Sequence, residues 1–134
     1  MLTIPVEIRK SPIHGYGVFA VTDIHRGDVV WMFHPGLDRR VSAEEVKYCE
    51  PRAKEFLLQR GYINPRYPNA IVLCADESQF LNFSPPHLPA NLQLGGLQDG
   101  EHMLLAACDI ASGDELTVPP ESDADYKRKM EAYG

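Results

Sequence analysis

Two side-chain amides, Asn82 and Asn91, stand at the two ends of a proline-rich loop. The loop contains three prolines, Pro85, Pro86 and Pro89. They exclude a helix or a central strand and stiffen the loop, because each fixes its own φ and lacks an N–H donor. The apolar pair 80–81 before the loop predicts the end of a buried segment. A stiff, polar-ended loop leaving the core is suited to hold a ligand. The alternative is a surface connection whose asparagines only cap turns.

A second place for close contact with a ligand is the segment Gly15-Tyr16-Gly17. Glycine lacks a Cβ atom, so the backbone on both sides of Tyr16 can approach another group closely and can adopt a positive φ. A plain hairpin turn between two strands explains the same three residues.

The composition limits the class of protein and of partner. The chain has 134 residues, of which 44% are hydrophobic, which fits one domain, 1–134, with a sizeable core. The 11 prolines and 10 glycines predict many turns and short strands. The net charge of -6 argues against nucleic acid as a partner, because phosphate binding needs a basic face, and it suits a basic peptide. The longest apolar run, residues 29–33, is too short to cross a membrane.

The cysteines predict the compartment and the absence of a metal. Cys49, Cys74 and Cys108 lie far apart and form no C-x-x-C pair, so we expect no zinc or other metal site. An odd number without a signal peptide predicts reduced thiols in an intracellular protein, with the cytoplasm as the expected compartment. Cys74 and Cys108 fall in apolar runs and are predicted to be buried.

Short elements must position these groups. In the first half, strands are predicted at 4–10, 18–21 and 28–34. Ser42 and Glu45 fit the S-x-x-E capping box at the start of a short helix. Pro51 should start a second helix, which Gly61 should end.

In the second half, strands are predicted at 71–74, 92–97, 103–108 and 115–118. The sequence D-I-x-x-G-D occurs twice, at 23–28 and 109–114, and each copy precedes a strand, so both should form the same kind of turn. Residues 62–70 are predicted to be a loop. Ser122 can cap a last helix, 123–132. One face of that helix would hold three large side chains, those of Tyr126, Met130 and Tyr133.

Four segments, in this order, resemble the motifs of the SET domain of protein-lysine methyltransferases. SPIHGYGVFA is similar to the family's G-x-G motif with its following strand, and DIHRGDVV to its I-x-x-G turn. FLNFS with the later AN resembles a variant of N-H-S-C-x-P-N, and IASGDELTV resembles the G-E-E-L-T strand. The resemblance covers nearly the whole chain. It implies a mainly β fold with short helices, a β-clip-like set of small sheets. It also implies a pseudoknot in which the C-terminal segment passes under a loop near Asn82.

The resemblance also implies the cofactor S-adenosylmethionine, and a lysine of a basic protein or peptide as the substrate. Gly15, Tyr16 and Gly17 would lie against the cofactor, mostly through their backbone. Asn82 would hold the amino-acid end of the cofactor through its side-chain amide. Phe83 stands where the family has histidine and would contact the adenine through its backbone.

The reaction centre departs from the family pattern. The family's catalytic tyrosine falls on Pro120, which has no hydroxyl. Tyr126 follows Asp125 as the family's tyrosine follows an aspartate, and it is the candidate for the missing hydroxyl. Tyr133 is a second candidate, or a cover over the cofactor, since tyrosine pairs an apolar body with a polar tip. No cysteine-rich zinc segment follows, so the last helix would have to close the site.

Three hypotheses therefore compete. The first is an S-adenosylmethionine-dependent protein-lysine N-methyltransferase made of one SET domain. The second is a catalytically impaired module of the same fold that binds the cofactor or a basic peptide without turnover, since Pro120 occupies the position of the catalytic tyrosine. The third is an unrelated small β domain with a structural or interaction role. The oligomeric state, the substrate protein and the number of methyl groups are not encoded in these motifs.

Overall fold

A computed structural model describes residues 1–64 and 68–133, apart from the side chains of Asp123, Asp125, Arg128 and Ala132. Its strands are β1 Val6–Lys10, β2 Tyr16–Ala20, β3 Val29–Trp31, β4 Arg39–Ser42, β5 Ala70–Leu73, β6 Asn82–Phe83, β7 Leu92–Gln98, β8 Glu101–Ala106 and β9 Thr117–Val118. Its helices are α1 Ala43–Lys47, α2 Pro51–Arg60 and α3 Asp123–Tyr133, with a 3-10 turn at Glu77–Phe80. The predicted mainly β fold with short helices is confirmed.

The strands form small separate sheets. β1 pairs with β2 in an antiparallel hairpin. β4 pairs antiparallel with β5, which follows it in the chain after α1 and α2. β3, β8 and β7 form an antiparallel three-stranded sheet with β8 in the middle. β6 and β9 pair in parallel. Between the sheets lies a core of fully buried apolar side chains, Val18, Ala20, Ile24, Val30, Leu92, Ala106, Ile110 and Leu116.

The two D-I-x-x-G-D turns, at 23–28 and 109–114, pair with each other. Ile24 and Ile110 exchange both backbone hydrogen bonds, each 2.8 Å long. The first aspartate of each turn accepts a hydrogen bond of 2.8 Å from the backbone of the other turn, and the glycine of each turn has a positive φ, 88° and 93°. The prediction that both are the same kind of turn is confirmed. Their pairing holds the next residue, Glu115, beside β2.

The loop between the two amides binds the C-terminal segment at both of its ends. Ser84 N donates to the carbonyl of Val118 at 2.9 Å. At the other end, the Asn91 amide accepts from Thr117 N and donates to Glu115 O, both at 2.8 Å. This is the arrangement expected of the pseudoknot. Asn91 therefore binds backbone of its own chain.

Both predicted helix starts are confirmed. The Ser42 side chain and Glu45 form the capping box of α1, and Pro51 occupies the first turn of α2. Gly61 ends α2, as predicted, although in an extended conformation rather than a left-handed one. The predicted burial of Cys108 is wrong: β8 ends at Ala106, so Cys108 lies beyond the sheet and is exposed, whereas Cys74 is buried.

The last helix starts as predicted but turns a different face to the core. Tyr126 and Met130 are 56% and 39% exposed, whereas Tyr133 is 4% exposed. Among the described side chains of α3, Lys129, one turn before Tyr133, is also buried. Of the three large side chains that share one face of the helix by their spacing, only that of Tyr133 is therefore packed in the core.

Candidate functional site

A cavity of about 1480 Å³ opens between the β1–β2 turn, the end of α2, β8 and α3. Among the residues that line it are Gly15, Tyr16, Asn82, Phe83, Tyr126 and Met130. Ligand cavities are usually about 300–1,000 Å³. The space is therefore large enough for a nucleoside-sized ligand together with a second group.

The side-chain amide of Asn82 joins two segments of the cavity wall. Its Nδ2 atom donates to the carbonyl oxygens of His14 at 3.0 Å and Tyr16 at 3.2 Å, and to Oε2 of Glu115 at 2.9 Å. All three partners are acceptors, so the nitrogen must face them and the Oδ1 atom must face the other way. Asn82 thus fixes the shape of the G-x-G turn and leaves one acceptor oxygen for another group.

Glu115 does not line the cavity, but it holds the Asn82 amide from behind, a role that sequence reasoning missed. The Ser11 hydroxyl lies 2.7 Å and 2.9 Å from its two carboxylate oxygens, and Asn82 donates to one of them. The carboxylate is held by the paired turns behind it, and it lies beside the G-x-G turn. The motif IASGDELTV contains Glu115 and could have indicated it, but its partner Asn82 is far away in the sequence.

Gly17 packs against other residues of the chain and does not line the cavity. It is buried, and a Cβ atom there would lie 2.8 Å from Cδ of Glu115 and 3.2 Å from Nδ2 of Asn82. The close approach that we predicted at this glycine is therefore made by Glu115. Gly15, with a φ of 46°, does line the cavity, and nothing lies within 4 Å of its added Cβ position.

We expect Gly17→Ala to lower the free energy of unfolding by about 1–3 kcal/mol, because the added methyl group overpacks a fixed carboxylate. Gly96→Ala is the matched control, since its methyl group would meet only Met103 Cε at 3.8 Å. Urea denaturation of both variants measures the difference. Equal stability of the two variants would show that Glu115 moves aside freely.

Tyr16, Phe83 and Tyr126 are exposed aromatic residues of the cavity, and the first two belong to the G-x-G turn and the proline-loop motif. Tyr16 is 55% and Phe83 is 51% exposed, and both line the cavity. The backbone of Phe83 is held in register by the pairing of β6 with β9. These rings provide flat apolar surface next to the Asn82 amide.

Tyr126, the residue predicted to supply the missing hydroxyl, is at this cavity. Tyr126 lines it from α3, while Pro120, at the aligned position, is exposed and lies outside it. The side chain of Asp125, which supported the choice of Tyr126, lies outside the described residues.

Tyr133, the other predicted candidate, does not line the cavity. Its ring packs with Val41, Val46, Leu57 and Ile71, and its hydroxyl donates to the Pro68 carbonyl at 2.7 Å. The side chain is thus occupied in the core, and we leave Tyr133 out of the candidate site.

A buried polar cluster forms the wall on the β8 side. Glu101, 1% exposed, accepts hydrogen bonds from Arg40 Nε at 3.0 Å, the Tyr62 hydroxyl at 3.1 Å and Asn64 Nδ2 at 3.1 Å. Burial, and then the negative charge of Glu101, raise the pKa of Tyr62 above its ordinary value, so the hydroxyl stays protonated and keeps donating. The Trp31 and Tyr62 rings meet edge to face with their centroids 6.3 Å apart. The polar groups of Glu101, Arg40, Tyr62 and Asn64 thus bind one another, whereas among the described residues the buried Nε1 atom of Trp31 has no hydrogen-bond partner.

The described part of the chain has neither a metal-binding cluster nor a membrane-spanning helix. Within residues 1–64 and 68–133, no three His, Cys, Asp or Glu side chains are grouped so that they could hold a metal ion. In the same part of the chain, no helix has the length and apolar character needed to cross a bilayer.

The fold resembles that of solved structures at low sequence identity. No protein-family model and no curated protein sequence matches the chain. A humanized mutant of Polycomb Repressive Complex 2 from Chaetomium thermophilum, bound to an inhibitor, is 21% identical with a TM-score of 0.62, over 87% of this chain and 15% of that chain. A Plasmodium falciparum protein described as a candidate histone methyltransferase is 17% identical with a TM-score of 0.61, over 91% of this chain and 97% of that chain.

A third structure, ctPRC2 in complex with H3K27me3 and H3K27M, is 20% identical with a TM-score of 0.62, over 89% of this chain and 15% of that chain. The chain thus spans less than a sixth of the Polycomb chains that it resembles, and nearly all of the Plasmodium chain. At these identities the likeness shows the fold alone. The chain has the SET-domain fold, as the order of its motifs predicted.

Proposed function

We propose that this chain binds S-adenosylmethionine and transfers its methyl group to a lysine side chain of a basic protein or peptide. The observation that supports this most strongly is the Asn82 amide. It joins the G-x-G turn, the proline-loop motif and the Glu115 strand at one cavity. The structural neighbours described as a candidate histone methyltransferase and as ctPRC2 in complex with H3K27me3 support the same class of reaction.

The residues of the cavity fit the cofactor chemically. S-adenosylmethionine has a positively charged amino group and a sulfonium, and the open Oδ1 of Asn82, which lines the cavity, is an acceptor suited to an ammonium group. The exposed ring of Phe83 and the backbone around Gly15 provide apolar surface and close approach for the nucleoside part. When bound, the cofactor supplies a methyl group attached to a sulfonium.

The protein's own contribution is to position the lysine amine and to desolvate it. Methyl transfer is an in-line displacement, and holding the two reactants in line can supply several kcal/mol of the barrier. The amine must be neutral to react, and burial lowers the pKa of an amine. Tyr126 lines the cavity, and its hydroxyl would orient the amine by accepting or donating a hydrogen bond.

The partner is a lysine-containing chain of positive charge. The protein has a net charge of -6, which attracts basic partners and repels acidic ones. Binding of an extended peptide would keep the lysine backbone at the surface while its side chain reaches the cavity.

Calorimetric titration with S-adenosylmethionine and with its demethylated product, followed by methyl transfer to a lysine-rich protein pool, tests this function. Saturable binding and transfer to lysine are the expected results. Binding without transfer to any pool would favour the module without turnover, a hypothesis supported by Pro120 at the position of the family tyrosine. No binding at all would reject both.

We expect Tyr126→Phe to lower the rate of methyl transfer at least ~10-fold, a change of about 1.4 kcal/mol in the barrier, with little change in cofactor affinity. The reason is the loss of the hydroxyl that orients the amine. Tyr48→Phe is the control, because Tyr48 is 77% exposed and does not line the cavity. Full activity of Tyr126→Phe would mean that another group orients the amine.

A further inference from the structure

The strand β7 lies at the edge of the three-stranded sheet, and its outer side is open. Among the described residues, β8 is the only strand that pairs with β7, and no other segment hydrogen-bonds to its backbone. The opposite edge of the same sheet, β3, is covered, because Thr3 N donates to the carbonyl of Val30 at 2.9 Å. The sheet therefore presents unpaired backbone groups along β7.

β7 lacks the side chains that usually keep an edge strand from pairing, which are charged residues and proline. β1 and β4, which also lie at the edges of their sheets, have the sequences VEIRK and RRVS. β7 has the uncharged sequence LQLGGLQ and is the longest strand of the described chain. Its Leu94 and Leu97 are 64% and 39% exposed. This edge thus presents apolar side chains and no charge.

The sequence of this edge is the same in both directions. Residues 93–98 read QLGGLQ, with the two glycines at the centre. When two copies of a strand pair about a two-fold axis, residue i meets residue j and residue j meets residue i. With the axis between Gly95 and Gly96, each leucine would lie opposite a leucine and each glutamine opposite a glutamine. The strand is therefore complementary to a second copy of itself.

A bulge at the two glycines gives β7 the geometry that this pairing needs. Leu94 lies opposite Leu104 of β8 and Leu97 opposite His102, so β7 has one extra residue between them. Residues 102 and 104 share a face of β8, and directly opposite residues share a face of the sheet. Leu94 and Leu97 therefore lie on one face, as a two-fold axis normal to the sheet requires. The Gly95 carbonyl accepts a hydrogen bond from Nδ1 of His102 at 2.8 Å, which holds the bulge.

We propose that β7 is the interface of a homodimer, in which two copies pair antiparallel through residues 93–98 and their three-stranded sheets join. Leu94 meets Leu97 of the second copy on one face, and Gln93 meets Gln98 of the second copy on the other. Two copies with a net charge of -6 repel each other, and β7 lets them meet without placing charged side chains opposite one another.

The dimer would also extend the cavity wall. Leu94 lines the cavity, as does Leu104 opposite it. Leu97 of the second copy, paired with Leu94, would add apolar surface next to the cavity of the first. The interface itself needs no cofactor, so it is tested on the free protein and stands apart from the proposed function.

Sedimentation equilibrium of the full chain tests the interface. The expected molar mass rises with concentration from 15.0 kDa toward twice that value, and hydrogen exchange of the β7 amides slows in the dimer. Leu94→Lys should raise the dissociation constant at least ~10-fold, because the two-fold axis repeats the change at both ends of the interface. Leu37→Lys is the matched control, since Leu37 is 55% exposed and lies outside β7. Thermal melting checks that both variants are folded.

Two double variants test the register. In Leu94→Lys with Leu97→Glu, the introduced lysine would face the introduced glutamate of the second copy, and the dimer should return. In Leu94→Lys with Leu97→Lys, like charges would face each other, and the dimer should be lost.

The outcomes that would overturn the proposal are distinct. A molar mass that stays at 15.0 kDa at every concentration overturns the dimer. A dimer that Leu94→Lys weakens no more than Leu37→Lys overturns the interface at β7. Equal association of the two double variants overturns the pairing of Leu94 with Leu97. Exchange of the β7 amides that slows only when a lysine-rich peptide is added would assign this edge to a peptide strand instead.

Discussion

Replacing Glu101 by glutamine should lower the free energy of unfolding by about 1.5–3 kcal/mol, the usual contribution of hydrogen bonds to a charged group. The carboxylate is 1% exposed and accepts from Arg40, Tyr62 and Asn64. The amide of glutamine would remove the charge that pairs with Arg40 and would turn an N–H donor toward groups that are themselves donors. The wall of the cavity would lose its fixed geometry.

Urea denaturation measures this change, with Glu7→Gln as the control. Glu7 has a side chain that is 59% exposed and lies 3.8 Å from Arg9. Such a surface pair contributes about 0–1 kcal/mol. If Glu101→Gln were as mild as Glu7→Gln, the buried cluster would not stabilise the fold.

Asn82→Asp should weaken the binding of S-adenosylmethionine about 100-fold or more. A hydrogen bond to a charged group contributes about 1.5–3 kcal/mol, and a factor of ten in affinity is about 1.4 kcal/mol. The substitution keeps the shape but places a carboxylate against the Glu115 carboxylate and the carbonyls of His14 and Tyr16. The repulsion would open the turn that the cofactor is proposed to contact.

The pH dependence gives this prediction a specific sign. Like charges and acceptor neighbours raise the pKa of the introduced carboxyl in the folded state above its unfolded value. The variant should therefore recover stability relative to the wild type as the pH falls from about 7 to about 5, because the protonated carboxyl can donate a hydrogen bond again. Asn82→Ala, which lacks the repulsion, should show a smaller loss and no such recovery. Unchanged affinity in folded Asn82→Asp would remove Asn82 from the cofactor site.

Much of the architecture was predictable because its signals are local. The capping box of Ser42 and Glu45 and the proline that starts α2 act through neighbours in the sequence, and both formed as predicted. The strand predicted at 28–34 is shorter in the structure, Val29–Trp31. The strand β4, at Arg39–Ser42, was not predicted. Both differences arise because sheet pairing, rather than β propensity, decides where a strand begins and ends.

The face of α3 shows where local periodicity fails. The spacing of Tyr126, Met130 and Tyr133 predicted one shared face. In the structure, Tyr133 is buried together with Lys129, whereas Tyr126 and Met130 are exposed. The Gly61 and Pro68 carbonyls accept hydrogen bonds from the polar ends of the two buried side chains. The spacing of apolar residues along one helix does not show which backbone carbonyls from distant parts of the chain will accept hydrogen bonds from its side chains.

The sequence by itself predicted the SET-domain fold through the order of its motifs. It also predicted that Asn82 follows a segment packed against the core. Only the tertiary structure revealed that Asn82 binds Glu115. It also showed that the Glu115 carboxylate occupies the space that a side chain at Gly17 would need. It also brought Glu101 together with Arg40 and Tyr62. The physical reason is that motifs and turns depend on neighbouring residues, whereas a buried charge is stable only beside partners that the folded chain brings from far away.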